Sequence, residues 1–298
     1  MANIAAWTFF EGLDHARRLQ GAAMDALGYG PDETPYRVVF SEAGVRLRCY
    51  GTADRAAAAL LIVPAPIKRP YIWDLAPGVS AVRRCLQTGM RVFLLEWLSD
   101  SAELGLGDYA ARLILDCLDA AGIGSATLIA HSLGGIFAAI FAALQPQRVR
   151  ALALLATPLH LGASAAILHS MAGGFEAGDL PPRVPGSFLS TASLVASPLT
   201  FAWDRWLDLW RSLPAPAALR SHLQVERWTL DERPLPRRLL GELAALLAPE
   251  DLLLHGRLTV EGRRVLPRAV TAPLLCVLDP RCRVVPPQSV LPFYDAVA

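Results

Sequence analysis

The chain has 298 residues, of which 53% are hydrophobic, so it can bury a large core in one α/β domain with an insert or in two domains. Its 28 Lys and Arg residues against 27 Asp and Glu give a formal net charge of +1, so no overall field favours nucleic acid or an anionic membrane. Five scattered cysteines are typical of a reducing compartment. Without a signal pattern or an unbroken apolar span, we expect a cytoplasmic protein that does not cross a membrane.

The first predicted element is an amphipathic helix over residues 4–28, in which Trp7, Phe10 and Leu13 fall near one face. A Gly-Tyr-Gly-Pro break follows it. Such a helix packs on the protein's own core or meets a partner, and the first alternative is favoured. We assign residues 1–32 to an N-terminal helical segment.

Apolar strands then alternate with helices up to residue 158. This alternation is typical of an α/β fold with a mostly parallel, doubly wound sheet, so we expect a site at the carboxyl ends of the strands. The predicted strands are residues 36–41, 45–50, 57–63, 91–96, 126–131 and 150–156, and the predicted helices between them are residues 79–87 and 108–121.

A sharp turn is predicted at Ser132, because a short apolar run ends just before it and a helix pattern begins at once through Ile136 and Phe137. This strand, turn and helix resembles the nucleophile elbow of the α/β-hydrolases, where a strained turn lifts a hydroxyl to the edge of the sheet. Ala130 replaces the first glycine of the G-x-S-x-G motif, whereas Gly134 is in place. Ser132 is therefore the candidate nucleophile, and a serine at an ordinary helix N-cap is the alternative.

An oxyanion hole at this turn would need two backbone N–H groups. The amide of Leu133 is the first candidate. The stiff, proline-rich loop over residues 64–75 lies where the second is needed, and since Pro66 has no N–H, Ile67 is the candidate. The alternative is a rigid surface loop without a catalytic part.

Residues 159–254 show no strand pattern, and prolines divide them into short helical pieces rich in tryptophan. A helical insert between core strands predicts a lid over the site that shapes an acyl pocket. Helix packing is favoured over substrate contact for Trp203, Trp206 and Trp210, whereas Trp228 and, in the proline-rich loop, Tyr71 are candidate substrate contacts. The histidines of the insert are expected to be surface or core residues rather than a catalytic base; they are His160, His169 and His222.

After the insert, residues 258–266 predict a small hairpin and residues 274–278 a further core strand. Several stretches together now carry a family resemblance: residues 60–75, 91–97, the Ser132 turn, and residues 156–159, 226–228, 252–265 and 284–287. In this order they resemble the polyhydroxyalkanoate synthases, especially the shorter type that works with a second subunit. The resemblance covers roughly residues 33–298. It implies an α/β-hydrolase fold with its core in residues 33–158 and 255–298 and chemistry on acyl esters or thioesters of hydroxy acids.

The chain departs from this family at the turn, where the synthases have a cysteine and this chain has Ser132. A thiolate attacks thioesters readily and leaves readily, which suits chain growth by repeated acyl exchange. A serine ester is usually resolved by water. Hydrolysis or depolymerase-like acyl transfer is therefore a better extrapolation than polymer synthesis.

Two further departures concern the acid and the base. Cys282 stands where the resemblance places an aspartate, and Asp279 is the nearest candidate for that role. The family's general-base histidine follows one more strand, which lies beyond Ala298, so we expect the C-terminal strand and helix to be missing. His131 projects away from the serine's direction, and His255 would need an unusual path to reach Ser132.

Two functions therefore remain open at the level of sequence. The first is an enzyme with Ser132 as acyl nucleophile and Asp279 as orienting acid. The second is a catalytically silent protein that binds an acyl ligand, a polyester granule or a synthase partner through the lid and the N-terminal helix. In the second case the protein would be granule-associated. Neither function uses a metal or nucleotide cofactor, because the sequence lacks a phosphate-binding glycine loop and a metal-ligand pattern.

Overall fold

The computed structural model describes residues 2–51, 56–160, 180–196, 198–246, 251–282 and 284–297, so His169 lies outside the described residues. Its centre is a seven-stranded sheet with the order β1-β2-β4-β3-β5-β6-β7. The strands are β1 (Tyr36–Glu42), β2 (Val45–Tyr50), β3 (Ala59–Val63), β4 (Arg91–Trp97), β5 (Ala126–His131), β6 (Val149–Leu155) and β7 (Leu274–Val277).

The sheet is mostly parallel, as predicted. The β1–β2 and β2–β4 pairs are antiparallel, and the pairs from β4 through β3, β5 and β6 to β7 are parallel. The carboxyl ends of β3, β5 and β6 therefore lie at one edge of the sheet. Since β3 and β6 are the two neighbours of β5, the loops that follow them flank the turn at Ser132.

Both faces of the central sheet are covered. On β3, Leu61 and Val63 belong to the large core cluster on one face, whereas Leu60 and Ile62 belong to a smaller cluster on the other. Because side chains alternate along a strand, a strand buried on both faces must be apolar at every position, which is why β3 reads as a continuous apolar run.

Helices flank the sheet and make up most of the insert. They are α1 (Ala2–Ala26), α2 (Ala81–Gln87), α3 (Leu113–Ala120), α4 (Leu133–Leu144), α5 (Gly186–Ala196), α6 (Asp204–Ser212), α7 (Pro216–Thr229), α8 (Arg237–Leu246) and α9 (Leu291–Val297). None of these helices, within the described ranges, is both long and apolar enough to cross a bilayer.

Two helices begin later than the sequence predicted. The helix predicted from residue 79 begins at Ala81, because the Ser80 hydroxyl accepts a hydrogen bond from the Arg83 N–H at 2.9 Å and caps it. The helix predicted from residue 108 opens with a π-helical turn, Asp108–Arg112, before α3.

The N-terminal helix packs on the protein's own helices, which is the favoured alternative. The Trp7 ring centroid lies 5.2 Å from that of Phe188 on α5, and Asp14 accepts a hydrogen bond from the Ser187 N–H at 2.8 Å. Arg17 forms an ion pair with Glu232 at 3.0 Å. The helix thereby connects two parts of the insert.

The insert contains one feature that the sequence did not predict. A two-residue antiparallel ladder joins Arg183–Val184 to Leu235–Pro236, so the expectation of no strand between residues 159 and 254 was wrong. Further short ladders join Asp74–Ala76 to Val79–Ser80 and, in the predicted hairpin, Thr259–Val260 to Arg263–Arg264. Residues 161–179 and 247–250 of the insert lie outside the described residues, and the lid role stays a prediction.

The expectation that three insert tryptophans are used in helix packing was also wrong. Trp203, Trp206 and Trp210 are 60–65% exposed. The reason is that α6 packs against α7 through another of its faces, where Arg205 forms an ion pair with Glu226. The tryptophans therefore point away from this contact, and their spacing alone could not tell the inner face from the outer one.

Candidate active site

The structure places Ser132 in a strained turn between β5 and α4. Its backbone has φ 54° and ψ −129°, a conformation that residues other than glycine rarely adopt. The strand ends at His131, and the helix begins at Leu133. The predicted strand, sharp turn and helix are therefore present, and Ser132 is partly exposed at the edge of the sheet.

Two glycines after the serine allow the helix to approach the sheet closely. A Cβ atom on Gly134 would lie 2.4 Å from the carbonyl oxygens of Val63 and Pro64. A Cβ atom on Gly135 would lie 1.9 Å from the Thr157 hydroxyl. Because both distances are far below van der Waals contact, these positions accept no side chain without movement. The loops after β3 and β6 therefore both touch the start of α4.

Two of the backbone N–H groups at this turn have acceptors within the sheet and the turn. The Ser132 N–H donates to the Leu155 carbonyl at 3.1 Å, and the Gly135 N–H donates to the Ser132 carbonyl at 2.9 Å. Leu133 is the first residue of α4, and the first N–H groups of a helix have no acceptor within the helix. The positive end of the α4 dipole thus lies beside the serine, which favours an anion there.

The proline-rich loop after β3 is held rigidly next to the turn. The Trp97 indole N–H donates to the Pro64 carbonyl at 2.7 Å, and the Arg233 N–H donates to the Ile67 carbonyl at 2.7 Å. Ile67, the candidate for the second oxyanion donor, is partly buried and lies three residues after Pro64, whose carbonyl borders Gly134. The loop therefore lies beside the turn, as predicted, and the donor role of Ile67 stays a prediction.

Both residues predicted to contact substrate are engaged in tethering this loop. The buried Tyr71 hydroxyl donates to Asp231 at 2.7 Å, and its pKa is raised by burial and by that carboxylate. The Trp228 indole N–H donates to the Arg69 carbonyl at 2.8 Å. These contacts fix the loop to the end of α7, and a role in substrate binding stays a prediction for both residues.

A half-buried ion cluster strengthens the same connection. Lys68 lies 3.0 Å from Glu232, which also binds Arg17 at 3.0 Å. Burial lowers the pKa of Lys68 and raises that of Glu232, and the contact between them opposes both shifts. The cluster thus joins the loop, α1 and the segment after α7 without contacting Ser132 among the recorded interactions.

The predicted acid lies in solvent. The Asp279 side chain is 56% exposed, and its pKa is lowered chiefly by a hydrogen bond from the Arg281 N–H at 2.9 Å. Cys282, which occupies the expected acid position, accepts a hydrogen bond through Sγ from the Val285 N–H at 3.3 Å. Among the residues that the structure describes, no contact is recorded between either side chain and a histidine.

The histidines differ in their surroundings. His131 is held near Trp73, and burial lowers its pKa, so it is neutral near pH 7. His222 lies 3.9 Å from Glu226 on its own helix, and His255 is exposed. His160 is different, because its Nδ1 lies 2.6 Å from Oδ2 of the buried Asp251. His160 was expected to be a surface or core residue, and no local signal in the sequence connects it to an aspartate so distant in the chain.

Ser132 lines neither of two open clefts in the described part of the chain. The larger, of about 440 Å³, is surrounded by paired charges such as Arg48 and Glu33, and the smaller, of about 300 Å³, is bordered by Arg264 and Arg268. Among the described residues, no group of three or more His, Cys, Asp or Glu side chains could hold a metal ion.

The chain is similar to known proteins in sequence and in structure. It is 27% identical over 281 residues to the poly(3-hydroxyalkanoate) polymerase subunit PhaC of Haloferax mediterranei, covering 89% of this chain but only 57% of that protein. It is 27% identical over 296 residues to the PhaC subunit of Allochromatium vinosum, covering 94% of this chain and 83% of that one. A solved carboxylesterase structure from Nitrososphaera gargenis aligns with a TM-score of 0.54 and 17% identity over 88% of this chain and 86% of that chain.

A family model described as the alpha/beta hydrolase fold matches residues 6–203, which is more than half of the chain. The match includes the strained serine turn, the loop after β3 and the parallel strands on either side. The polymerase subunits resemble the chain across almost its whole length. On the sheet order, the turn and this match together, the chain belongs to the α/β-hydrolase fold family.

Proposed function

We propose that the protein is a serine-dependent acyl-transfer enzyme that acts on hydroxyacyl esters or thioesters through an acyl-enzyme at Ser132. The observation that carries the proposal is the backbone of Ser132, held at φ 54° between a buried strand and a buried helix. Strained positions of this kind persist where the surroundings enforce them and are concentrated at active sites. The substrate class is supported by the similarity to poly(3-hydroxyalkanoate) polymerase subunits.

In this mechanism the Ser132 hydroxyl loses its proton to a base while its oxygen bonds to the acyl carbon. The electron pair of the carbonyl double bond moves onto the carbonyl oxygen, and the amides of Leu133 and Ile67 donate hydrogen bonds to that oxyanion. When the oxyanion collapses, the alcohol or thiol leaves with the proton. Attack by water or by another hydroxyl then releases the acyl group.

A serine favours hydrolysis over polymer growth. An oxygen ester is less readily exchanged than a thioester, so the acyl group is released to water more often than it is passed to a growing chain. We therefore expect ester hydrolysis to exceed polymer formation when hydroxyacyl thioesters and short polyesters are offered. Residues 159–254 would act as the lid that shapes the acyl pocket, and residues 1–32 as a segment that holds this lid through α1.

A serine-directed fluorophosphonate probe tests the proposal, with the modified residue mapped by mass spectrometry. We expect labelling at Ser132 that is lost in Ser132→Ala. Ser193→Ala is the matched control, because the Ser193 hydroxyl donates to the Leu189 carbonyl within α5. Absence of labelling at Ser132 in the wild-type protein would refute the enzymatic function.

A second candidate function, binding without catalysis, is favoured by the exposed tryptophans of α6 and of the π-helical turn Leu199–Trp203 that precedes it. Leu199, Trp203, Trp206, Trp210 and Leu213 recur at intervals of four and three residues, and all are about half exposed or more. Such a stripe is suited to an apolar surface, and tryptophan is suited to the boundary between an apolar phase and water. The partner would be a polyester granule or a synthase subunit, with the protein in the cytoplasm or on the granule.

Co-sedimentation with poly(3-hydroxybutyrate) particles tests this second function. We expect binding to weaken in the triple variant Trp203→Ser, Trp206→Ser, Trp210→Ser and to persist in the control Leu291→Ser, Tyr294→Ser, which removes exposed apolar side chains from α9. Equal binding by both variants would exclude the stripe as the docking surface.

A further inference from the structure

The one histidine of the described residues with a close, buried carboxylate lies in the loop after β6. His160 Nδ1 is 2.6 Å from Asp251 Oδ2, and the Asp251 side chain is only 9% exposed. The His160 side chain is partly exposed, so the pair has one shielded end and one end open to the surroundings. The His160 Nδ1 has this close carboxylate but no hydrogen bond of standard geometry, and catalytic hydrogen bonds are often poorly aligned before substrate binds.

The backbone brings His160 to the same edge of the sheet as Ser132. His131 pairs with Leu155 across β5 and β6, and the Ser132 N–H donates to the Leu155 carbonyl. The Thr157 side chain then touches Gly135 at the start of α4. Because three residues span at most about 11 Å, the His160 Cα lies within about 11 Å of the Thr157 Cα.

Main-chain hydrogen bonds fix the position of this histidine. The N–H groups of Leu159 and His160 both donate to the Ser289 carbonyl, at 2.9 and 2.8 Å. The His160 backbone is therefore anchored from two sides, by β6 and by the segment that precedes α9. These bonds fix the main chain of His160, so that a single side-chain contact can orient the ring as a general base requires.

Backbone strain is found at the serine, at the exit of β6 that leads to His160, and at the aspartate. Four described residues other than glycine have a positive φ, and one of them, Glu261, lies in the turn of the small hairpin. The other three are Ser132, Ala156 at the exit of β6, and Asp251 itself. Strained residues are retained where the surrounding structure enforces them, and they are concentrated at functional sites.

We infer that His160 is the general base for Ser132 and that Asp251 positions it, an inference that rests on the proposed function. The His160 Nε2 accepts the Ser132 hydroxyl proton while Oγ bonds to the acyl carbon and the carbonyl electron pair moves to oxygen. On collapse, the same proton passes from Nε2 to the leaving alcohol or thiol. The Asp251 carboxylate accepts a hydrogen bond from the Nδ1–H of the ring, and this contact keeps the ring in the required tautomer.

No other described histidine has the same combination of contacts. His131 lies on β5 directly before the serine and is made neutral by burial without a carboxylate partner. His222 lies near Glu226 one helical turn away, whereas His15 and His255 are exposed, the latter beside the smaller cleft. Asp279, the acid predicted from sequence, is bound by Arg281 instead of a histidine.

The test is the second-order rate constant for fluorophosphonate labelling of Ser132 in the intact chain. We expect His160→Ala to lower this constant by about 10²- to 10⁴-fold, the usual contribution of a general base. Added imidazole should restore part of the rate, because it can enter the space of the lost ring. His160→Gln is the second variant, His222→Ala is the matched control, and far-UV circular dichroism with urea midpoints verifies that each is folded.

Asp251 is tested as a positioning residue. We expect Asp251→Asn to lower the labelling rate constant by more than about tenfold, because the ring loses its orienting charge, and Asp251→Glu to recover most of it. The inference would be overturned if folded His160→Ala and His160→Gln were labelled at the wild-type rate, or if imidazole did not restore the lost rate in His160→Ala. Either result would leave the role of Ser132 intact. Absence of labelling in the wild type would instead overturn the proposed function itself.

Discussion

Gly134 is the residue at which one methyl group should disturb both stability and reactivity. In Gly134→Ala the new Cβ would lie 2.4 Å from the carbonyl oxygens of Val63 and Pro64, both of which are backbone atoms. Backbone in a buried strand cannot move aside as a flexible side chain can, so the start of α4 must shift. Overpacking of this kind costs about 1–3 kcal/mol, whereas the gain in helix propensity from Gly to Ala is about 1 kcal/mol at most.

A 2.4 Å contact with backbone atoms places this cost at the upper end of its range. We therefore expect Gly134→Ala to lower the free energy of unfolding, measured by urea titration, by about 2 kcal/mol net. The shift of α4 should also slow fluorophosphonate labelling of Ser132, because catalytic geometry tolerates little displacement. Gly241→Ala is the matched control: it lies within α8, a Cβ there meets nothing within 4 Å, and the variant should be about 0.5–1 kcal/mol more stable. A Gly134→Ala protein as stable as the wild type would refute the close approach on which this reasoning depends.

Three further substitutions test the contacts around the loop after β3 and on α6. Tyr71→Phe removes the hydrogen bond to the buried Asp231, and we expect the free energy of unfolding to fall by about 1–3 kcal/mol. Lys68→Met removes a cation from Glu232, whose pKa is already raised by burial, so the folded-state pKa of Glu232 should rise further. Because the cost falls on the ionised carboxylate, we expect urea titrations to show a larger loss of stability at pH 7 than at pH 4. Trp210→Ser should change stability by less than about 0.5 kcal/mol in the same assay, because the ring is exposed. A large loss of stability in Trp210→Ser would contradict the exposure of that ring. A loss of stability in Lys68→Met that does not change with pH would contradict the contact between Lys68 and Glu232.

The main elements could be predicted from the sequence because their signals are local. A strand buried on both faces must be apolar at consecutive positions, as Ala59–Val63 is, and a helix that enters the core must be apolar all round, as Leu133–Leu144 is. The turn at Ser132 was predictable for the same reason. Two glycines within three residues of a serine, between an apolar strand and an apolar helix, are required by the close packing that the structure contains.

Charged and aromatic contacts over long sequence distances could not be predicted in this way. Tyr71 and Trp228 join the loop after β3 to the end of α7 through partners that lie about 160 residues away in the chain. Their contact with substrate stays a prediction. Trp203 and its neighbours on α6 have the spacing of a packed helix, and the structure leaves them exposed. Spacing reports which residues share a face, but it does not report what covers that face.

The sequence by itself determined the α/β class, the order of strands and helices, and the serine at the strained turn, since each depends on interactions between residues near one another in the chain. Only the tertiary structure decided that His160 lies against Asp251 and that Asp279 accepts a hydrogen bond from the Arg281 N–H. The physical reason is that periodicity records burial along one element, whereas the pairing of two polar side chains depends on how separate loops meet at the edge of the sheet.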